Sequence, residues 1–308
     1  MNKPNVIFMG TPDFAVPVLE KLIELTNVVL VVTQPDKLFG RKQELRFSPI
    51  KEVAIKNDIE VFQPVKIRED YEKVLSTDAD LIVTCAFGQI LPLIILNHPK
   101  IASINVHASL LPKLRGGAPI HHAIIDGYDK TGITIMYMAE GMDDGDIISQ
   151  EEVSILPNDN VGTLHDKLSL LGASLLEKTL PSIINGTNSR FKQDESQVTF
   201  APTIKREEEH IDFCLDGKTI INLIRGLNPF PTANTIINGE EWKILDATFE
   251  KKDVVEPKKV IVTKKAFGVT CLDGIIYFNE IKPFGKKKMM IADYLNGLQN
   301  IDAEWEVK

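Results

Sequence analysis

Cysteine is scarce in this chain of 308 residues, which contains three: Cys85, Cys214 and Cys271. Their wide separation fits neither a disulfide framework nor the paired spacing of a zinc site, and their odd number favours a reducing compartment. The adjacent His121 and His122 have no cysteine or histidine at ligand spacing. The sequence therefore predicts no metal site.

Targeting and membrane segments are also missing. Residues 1–5 lead directly into a strand-like run, without the apolar core of a signal peptide or an Arg-rich transit segment. No apolar run is long enough to span a membrane. We therefore expect a cytoplasmic protein without a membrane partner, and we take it to be a monomer.

Three familiar motifs of nucleotide-binding and hydrolytic enzymes are absent. The loop after the first predicted strand, residues 10–13, is not a Gly-x-Gly-x-x-Gly turn, which argues against a dinucleotide site. Gly127 and Gly132 have Walker-like spacing, but Ile133 stands where a phosphate-binding loop requires lysine. Ser109 lacks the Gly-x-Ser-x-Gly elbow of a serine hydrolase. Any catalysis must therefore use another set of residues.

The order of predicted elements indicates an α/β fold in the first part of the chain. Residues 6–9 and 28–33 have the pattern of buried strands, and an amphipathic helix over about 15–25 lies between them. A further buried strand is predicted at 81–85. This β-α-β start predicts a mostly parallel sheet, whose ligands bind beyond the carboxyl ends of the strands.

A change of pattern after about residue 188 indicates a second domain. A long predicted helix over 163–184 precedes residues 189–206, which have no periodicity, and short alternating strands follow from 233 onward. We predict a first domain over 1–188, a linker over 189–206, and a small β-barrel domain over 207–308.

Charge is unevenly distributed along the chain. The net charge of −8 argues against a nucleic-acid partner, but residues 251–288 contain ten lysines and four acidic residues. This tract has a local net charge of +6. On composition alone we favour a solvated face over a phosphate-binding surface.

One stretch, residues 104–148, concentrates polar residues suited to catalysis. Asn105 and His107 are two positions apart near the end of a predicted strand, so their side chains point to the same side. Asp143 lies in an acidic turn after the next predicted strand, and we expect it at the same edge of the sheet. An amide, an imidazole and a carboxylate suit an acyl-transfer or lyase-type reaction.

Several segments resemble the signature of the methionyl-tRNA formyltransferase family. The main ones are Asn-Val-His at 105–107, Ser-Leu-Leu-Pro at 109–112 with an Arg-Gly-Gly-Ala-Pro-Ile extension at 115–120, and Asp-Asp-Gly-Asp at 143–146. Shorter matches lie at 10–15, 33–36, 62–64 and 132–136. Asn-Pro-Phe-Pro at 228–231 is similar to the Asn-Pro-Trp-Pro element of the family's second domain. The resemblance covers nearly the whole chain.

The resemblance implies a Rossmann-like formyltransferase domain followed by an OB-like, tRNA-binding C-terminal domain. It also implies transfer of the formyl group of 10-formyltetrahydrofolate to the α-amine of methionyl initiator tRNA, giving formylmethionyl-tRNA for translation initiation. The family's catalytic roles transfer to Asn105, His107 and Asp143. No metal and no nucleophilic residue are needed for this reaction.

The resemblance also suggests where the substrates bind. The family's folate-binding segment matches Ser109, Leu110, Leu111 and Pro112. We expect the donor beside this segment and the neighbouring loop, which contains Phe87, Gly88, Gln89, Ile90 and Leu91, because both offer backbone groups to a pterin edge. A family insertion that enters the tRNA acceptor stem matches residues 34–48, where the candidate contacts are Arg41 and Lys42. On the second domain, the candidate phosphate contacts are Lys286, Lys287 and Lys288.

The chemistry gives each catalytic candidate a role. The Asn105 amide can donate to the oxygen that becomes negative when an amine attacks the formyl carbon, as can protonated His107. His107 can relay a proton from the amine to the departing folate nitrogen. Asp143 would orient the imidazole, stabilise its charged form, or hold a water molecule, and all three roles stay open.

Two other functional classes also stay open. One is a formyltransferase or hydrolase that acts on a small amine or on water, and the other is a non-catalytic tRNA-binding protein on an enzyme scaffold. The Asn-Pro-Phe-Pro element and the lysine-rich barrel argue against the first class. The intact set of Asn105, His107 and Asp143 argues against the second.

Overall fold

A computed structural model describes residues 3–39, 44–253, 256–298 and 304–308. The chain divides into two compact units. The first contains Met1–Pro119, Lys130–Ser154 and His165–Pro202, and the second contains Ile120–Asp129, Ile155–Leu164 and Thr203–Lys308. Each unit therefore takes residues from several stretches of the chain. Residues 189–202, part of the segment predicted as a linker, belong to the first unit.

Within the described residues, the strands are, in chain order, β1 (Asn5–Gly10), β2 (Asn27–Val32), β3 (Lys37–Phe39), β4 (Glu44–Arg46), β5 (Val61–Phe62), β6 (Leu81–Cys85), β7 (Ala102–His107), β8 (Lys130–Tyr137), β9 (Ile147–Ser154), β10 (Asn234–Ile237), β11 (Glu240–Lys251), β12 (Val260–Val262), β13 (Phe267–Cys271), β14 (Gly274–Pro283) and β15 (Met289–Met290). The helices are α1 (Val16–Leu25), α2 (Pro49–Lys56), α3 (Glu72–Leu75), α4 (Leu93–Leu96), α5 (Pro119–Ile125), α6 (Val161–Ile184), α7 (Gly217–Leu227) and α8 (Ile291–Asn296). None of the described helices is both long enough and apolar enough to cross a membrane.

A seven-stranded sheet in the order β5-β2-β1-β6-β7-β8-β9 forms the centre of the first unit. The five strands from β5 to β7 are parallel, and β8 and β9 are antiparallel to their neighbours. Strand β6 is buried along its whole length, as is typical of parallel sheets that are covered on both faces. The predicted mostly parallel α/β sheet is confirmed.

Strand β8 runs antiparallel to its neighbour β7, so the carboxyl ends of the two strands lie at opposite ends of the sheet. His107, the last residue of β7, pairs with Thr134, whereas Ile104 pairs with Tyr137 at the end of β8. The expectation that Asp143 follows a strand ending at the same edge as His107 is therefore wrong. Residues 138–146 instead fold back along the sheet, since Oδ2 of Asp143 lies 3.6 Å from Nδ1 of His107.

An antiparallel sheet in the order β10-β11-β14-β13-β12, with β15 paired to β14, forms the second unit. Its buried face packs around aromatic rings, among them Trp242 and Phe267, whose ring centroids are 5.4 Å apart. Phe267 and Phe278 stack with centroids 5.6 Å apart. The sheet curls into a half-barrel, which confirms the predicted β-rich C-terminal fold. Within the described residues, the outer strands β10 and β12 do not pair with each other.

Candidate functional site

Strand β7 presents two candidate residues on one face of the sheet, because Asn105 and His107 are two positions apart. The hydroxyl of Thr84, on neighbouring β6, donates to Oδ1 of Asn105 at 2.8 Å. This bond sets the orientation of the side-chain amide. In the part of the chain that the structure describes, Nδ2 of Asn105 donates to no protein atom. Asn105 therefore has an amide N–H group available for a ligand oxygen.

His107 is buried, with 6% of its surface exposed. Its Nε2 lies 3.1 Å from the carbonyl oxygen of Leu114, and its Nδ1 lies 3.6 Å from Oδ2 of Asp143. Because a carbonyl oxygen only accepts, Nε2 must carry a proton and donate it. The distance to Asp143 exceeds that of a direct hydrogen bond. Nδ1 is therefore the ring atom that can gain or lose a proton beside a carboxylate.

Asp143 is held close to His107 by backbone contacts. Its Oδ2 accepts a hydrogen bond from the N–H of Gly116 at 2.9 Å. The φ angles of Asp143 and Leu114 are 50° and 61°, in the left-handed region that residues other than glycine rarely adopt. At Gly116, φ is 125° and a Cβ would lie 2.7 Å from the carbonyl oxygen of Ala201, so glycine is required there. Surrounding contacts must hold this strained geometry in place.

The neighbouring cysteine is not a second reactive group. Cys85, at the end of β6, is completely buried. Burial raises the pKa of the Cys85 thiol far above its usual value. The thiol therefore stays protonated at neutral pH and is unsuited to nucleophilic attack.

The predicted folate-binding segment 109–112 is braced by internal hydrogen bonds. Ser109 is fully buried, and its Oγ donates to the carbonyl of Lys113 at 2.6 Å. The hydroxyl of Thr134 donates to the Ser109 carbonyl and accepts from the N–H of Leu111. Gln150 donates to the Leu111 carbonyl at 2.8 Å. These bonds engage the carbonyls of Ser109 and Leu111 and the N–H of Leu111 within the protein, whereas Leu110 and Pro112 are half-buried. The folate-binding role of the four residues stays a prediction.

The predicted folate-binding loop at 87–91 alternates buried and accessible positions. Phe87 and Leu91 are buried in the core of the first unit, while Ile90 is 63% exposed and Gly88 is exposed. Gln89 accepts a hydrogen bond from the N–H of Ile67 through Oε1 at 2.8 Å. The loop is thus anchored by the side chains of Phe87, Gln89 and Leu91, and it presents Gly88 and Ile90 to solvent.

Gln193 and Arg115 complete the surroundings of Asp143, and neither was predicted as a site residue. Gln193 donates from Nε2 to the carbonyls of Asp143 and Gly145, at 2.7 and 2.8 Å. Its Oε1 accepts from Nε and Nη2 of Arg115, at 3.0 and 2.8 Å. Arg115 belongs to the Arg-Gly-Gly-Ala-Pro-Ile extension, which was a signal for it. Gln193 lies in a segment without periodicity, so no pattern pointed to it.

The predicted acceptor-stem contacts, Arg41 and Lys42, lie outside the described residues. At the base of the β3–β4 hairpin, Nζ of Lys51 lies 2.5 Å from Oδ2 of Asp36, and Gln63 donates to Oδ1 of Asp36 at 2.9 Å. The hydrogen bond from Lys51 lowers the pKa of Asp36 from its usual value. Only 14% of the Lys51 side chain and 16% of the Asp36 side chain are exposed. This mostly buried ion pair ties the base of the hairpin to α2.

All ten lysines between 251 and 288 are exposed, and they divide between opposite ends of the half-barrel sheet. Lys251 pairs with Gly274 at one end of the β11–β14 ladder, whereas Lys243 pairs with Lys282 at the other. Residues 251, 252, 258 and 259 form the first group. Residues 264, 265, 282 and 286–288 form the second, because the turns after β12 and β14 lie at the Lys282 end.

The predicted contacts Lys286, Lys287 and Lys288 lie in the turn between β14 and β15. Lys288 forms an ion pair with Glu280 at 2.9 Å. The ammonium of Lys286 lies 4.9 Å from the centre of the Tyr294 ring, which is a cation–π distance. Two of the three ammonium groups are therefore oriented by neighbouring side chains.

Among the described residues, no group of three or more His, Cys, Asp or Glu side chains could hold a metal ion. The polar groups of the candidate site on the first unit are an amide, an imidazole and a carboxylate. Together they can donate to a developing oxyanion, move a proton and balance its charge. This set suits acyl transfer to an amine.

Two family models match the chain: formyl transferase over residues 3–180, and formyl transferase, C-terminal domain, over residues 203–299. A curated relative from Staphylococcus aureus, named methionyl-tRNA formyltransferase, is 53% identical over 302 residues, covering 96% of this chain and 97% of the relative. A relative of the same name from Staphylococcus epidermidis is 52% identical over 299 residues and covers 96% of each chain.

A solved structure is similar in fold at lower identity. An N-formyltransferase from Helicobacter canadensis, in complex with folinic acid and dTDP-3-aminofucose, is 22% identical with a TM-score of 0.70. The match covers 92% of this chain and 100% of that one. At this identity the likeness shows a shared fold.

Proposed function

The chain belongs to the methionyl-tRNA formyltransferase family, and we propose that Asn105, His107 and Asp143 carry out its formyl transfer. The enzyme transfers a formyl group from a formyl-folate to the α-amine of methionyl initiator tRNA. We propose 10-formyltetrahydrofolate as the form of the donor. The observation that carries the catalytic proposal is the meeting of Nδ1 of His107 with the carboxylate of Asp143, on the face that also presents Asn105.

The reaction begins with the free amine of the methionyl group. Such α-amines have a pKa of about 7.7–8.0, so a useful fraction is neutral and nucleophilic near pH 7.5. The nitrogen lone pair attacks the formyl carbon, and the carbonyl electron pair moves to oxygen. The Nδ2 of Asn105, oriented by Thr84, donates to that oxyanion.

Proton movement completes the transfer. Nδ1 of His107 accepts the proton that the attacking amine loses, while Nε2 remains bonded to the Leu114 carbonyl. The imidazolium then donates the same proton to the departing folate nitrogen as the bond from that nitrogen to the formyl carbon breaks. Asp143, whose carboxylate lies 3.6 Å from Nδ1, stabilises the charged ring in between. Formylmethionyl-tRNA and deformylated folate leave, and His107 returns to its starting state.

We place the donor beside the two loops selected in the sequence. Exposed Gly88 and Ile90, with half-buried Leu110 and Pro112, offer backbone and apolar surface to a flat ring. Ser109 and Leu111 act on the donor indirectly, because their hydrogen bonds keep the segment in shape. Phe87, Gln89 and Leu91 do the same for the other loop.

Contacts with tRNA are proposed on both units. Arg41 and Lys42 are the candidates on the first unit, and Lys286, Lys287 and Lys288 are the candidates on the second. The exposed lysine-bearing turn after β14 supports phosphate contacts, which give affinity without sequence choice. The domain limits at 188 and 207, a monomeric state and a cytoplasmic location stay predictions.

A transfer assay with three acceptors tests the function. The purified protein is incubated with 10-formyltetrahydrofolate and methionyl initiator tRNA, an amino-sugar nucleotide, or water alone. Product on the tRNA, with at least about 100-fold less in the other two arms, is expected, because a single missing binding interaction costs this much. Faster formylation of the sugar, or faster release of formate, would assign the fold to a different substrate. Binding of tRNA without product in any arm would indicate a non-catalytic protein.

A further inference from the structure

We infer that Gln193, held by Arg115, is a positioning residue for Asp143. The inference rests on the proposed catalytic role of Asp143. Gln193 lies in the segment that the sequence predicts as an interdomain linker, so no role at the active site was expected for it.

Both ends of the Gln193 side-chain amide form hydrogen bonds within the protein. Its two N–H groups donate to the carbonyls of Asp143 and Gly145, and its oxygen receives two N–H groups from Arg115. An amide is suited to this position because it donates at one end and accepts at the other. A carboxylate of the same shape would accept from Arg115 but would face two carbonyl oxygens without a proton to donate.

The turn that carries Asp143 needs such an anchor. Asp143 has a φ of 50°, and a residue other than glycine keeps this conformation where neighbouring contacts over-determine it. The two carbonyls that Gln193 binds flank the turn on both sides of Asp144. Loss of these bonds removes the donors that hold the turn, and the carboxylate then moves relative to Nδ1 of His107.

Arg115 gives the anchor its rigidity. The residue is 5% exposed, and its guanidinium is shared between Gln193 and Glu195, whose carboxylate lies 2.8 Å from Nη2. A buried guanidinium whose donors are satisfied in a planar fork has little freedom to rotate. The guanidinium of Arg115 therefore fixes the orientation of the Gln193 amide.

The same segment also sets the other partner of His107. The N–H of Arg115 donates to the Thr199 carbonyl at 2.9 Å, and the N–H of Leu114 donates to Thr199 Oγ1 at 2.9 Å. Leu114 is the residue whose carbonyl binds Nε2 of His107. Residues 193–199 thus fix both the carbonyl and the carboxylate that flank the imidazole.

The test compares Gln193→Glu and Gln193→Met with the control Gln197→Glu. Gln197 is exposed in the same segment, so its variant matches the charge change without touching the turn. Single-turnover formyl transfer should fall about 10–100-fold in both Gln193 variants, because a misplacement of reacting groups by about 1 Å can cost about 100-fold in rate. The KM values for donor and tRNA should stay within about twofold, since the substrates are not contacted. The control should match the parent enzyme.

A double-variant cycle separates this inference from the proposed function. If Gln193 acts through Asp143, then Gln193→Met should lower the rate of the parent but not that of Asp143→Ala. An unchanged rate in Asp143→Ala alone would refute the catalytic role of Asp143, and with it the premise. A normal rate in Gln193→Met, or an equal further loss on top of Asp143→Ala, would refute the positioning role itself. Because Gln193→Glu preserves the side-chain volume, thermal melting of both variants identifies a loss caused by unfolding.

Discussion

The carbonyl oxygen of Leu114 lies 3.1 Å from Nε2 of His107, on the side of the ring away from Asp143. This contact fixes the proton on Nε2 and leaves Nδ1 to the reaction. A backbone carbonyl cannot be removed by substitution, so the tautomer of His107 depends on the shape of the 114–118 loop. Leu114 reaches this position with a φ of 61°.

Replacement of His107 should abolish proton transfer while preserving substrate binding. His107→Gln keeps a donor to the Leu114 carbonyl but has no basic nitrogen, so we expect the single-turnover rate to fall about 10²–10⁴-fold. Donor and tRNA affinities, measured by equilibrium binding, should change little. The control is His165→Gln, because that histidine pairs with Asp13 and Asp166 and has no part in the mechanism. A His107→Gln enzyme with near-normal rate would refute the relay.

Removal of the Thr84 hydroxyl should loosen the oxyanion donor. Thr84→Val loses the bond that orients Asn105, and we expect a rate loss of ~10-fold, less than the 10²–10³ that loss of an oxyanion donor itself costs. Thr131→Val is a matched control, because in the described residues the buried Oγ1 of Thr131 has no hydrogen-bond partner. That variant should keep full activity and equal or higher stability. Equal transfer rates in Thr84→Val and Thr131→Val would show that the Thr84 hydroxyl has no role in catalysis.

The ion pair between Asp36 and Lys51 should make part of the stability dependent on pH. Lys51 lowers the pKa of Asp36 in the folded state, whereas an aspartate in an unfolded chain has a pKa of about 3.9. The stabilisation is therefore complete above the unfolded pKa and is lost as the pH falls through the folded pKa. Asp36→Asn should lower the melting temperature at pH 7, and the difference from the parent should shrink as the pH falls through the lowered pKa of Asp36.

An exposed ion pair provides the comparison for Asp36. Asp78 lies 2.7 Å from Nζ of Lys100, but 67% of its side chain is exposed. Its contribution should be smaller and should disappear in high salt, because water and ions screen surface charges. If Asp78→Asn lowers the melting temperature as much as Asp36→Asn, burial of the hairpin-base pair has no special effect.

Neutralising the turn after β14 should reduce the salt dependence of tRNA binding. Each phosphate contact contributes about 0.9 to the slope of log K against log salt. Because Lys288 shares its charge with Glu280, the triple change of Lys286, Lys287 and Lys288 to Gln should lower the slope by about two. Initiator and elongator tRNAs should respond alike, as phosphate contacts carry no sequence information.

A lysine triple at the other end of the sheet is the control for this titration. Lys251, Lys252 and Lys259 are exposed, and Lys259 is paired with Glu256 at 3.2 Å, as Lys288 is with Glu280. Their replacement by Gln changes the net charge equally. If both triples reduce the slope by the same amount, the effect is one of net charge. If neither does, the lysine tract is a solvated face, as composition alone favours.

Local sequence patterns were sufficient to predict the parallel sheet and the shared face of Asn105 and His107. The β-α-β order and the apolar run of β6 gave the parallel core, and the spacing of Asn105 and His107 placed both on one face. Alternation along a strand is a local property of the backbone, so the sequence carries it directly. Thr84 was not found, because its role depends on the register between β6 and β7.

Tertiary geometry decided the rest of the site. The sequence did not show that β8 runs antiparallel, so the path by which Asp143 reaches His107 was predicted incorrectly. Gln193 acts through hydrogen bonds to residues about fifty positions away, and no periodicity accompanies such contacts. An aperiodic segment was interpreted as a linker, although hydrogen bonds tie it to the 114–118 loop.

The length of the segment 138–146 is itself important for catalysis, because this segment must carry Asp143 back along the sheet to His107. The segment leaves β8 at one edge of the sheet and must bring Asp143 to an imidazole near the other edge. One extended residue spans up to about 3.6 Å, which equals the whole separation between the carboxylate and Nδ1. We therefore expect a single insertion or deletion in this segment to displace the carboxylate from Nδ1 and to lower the transfer rate.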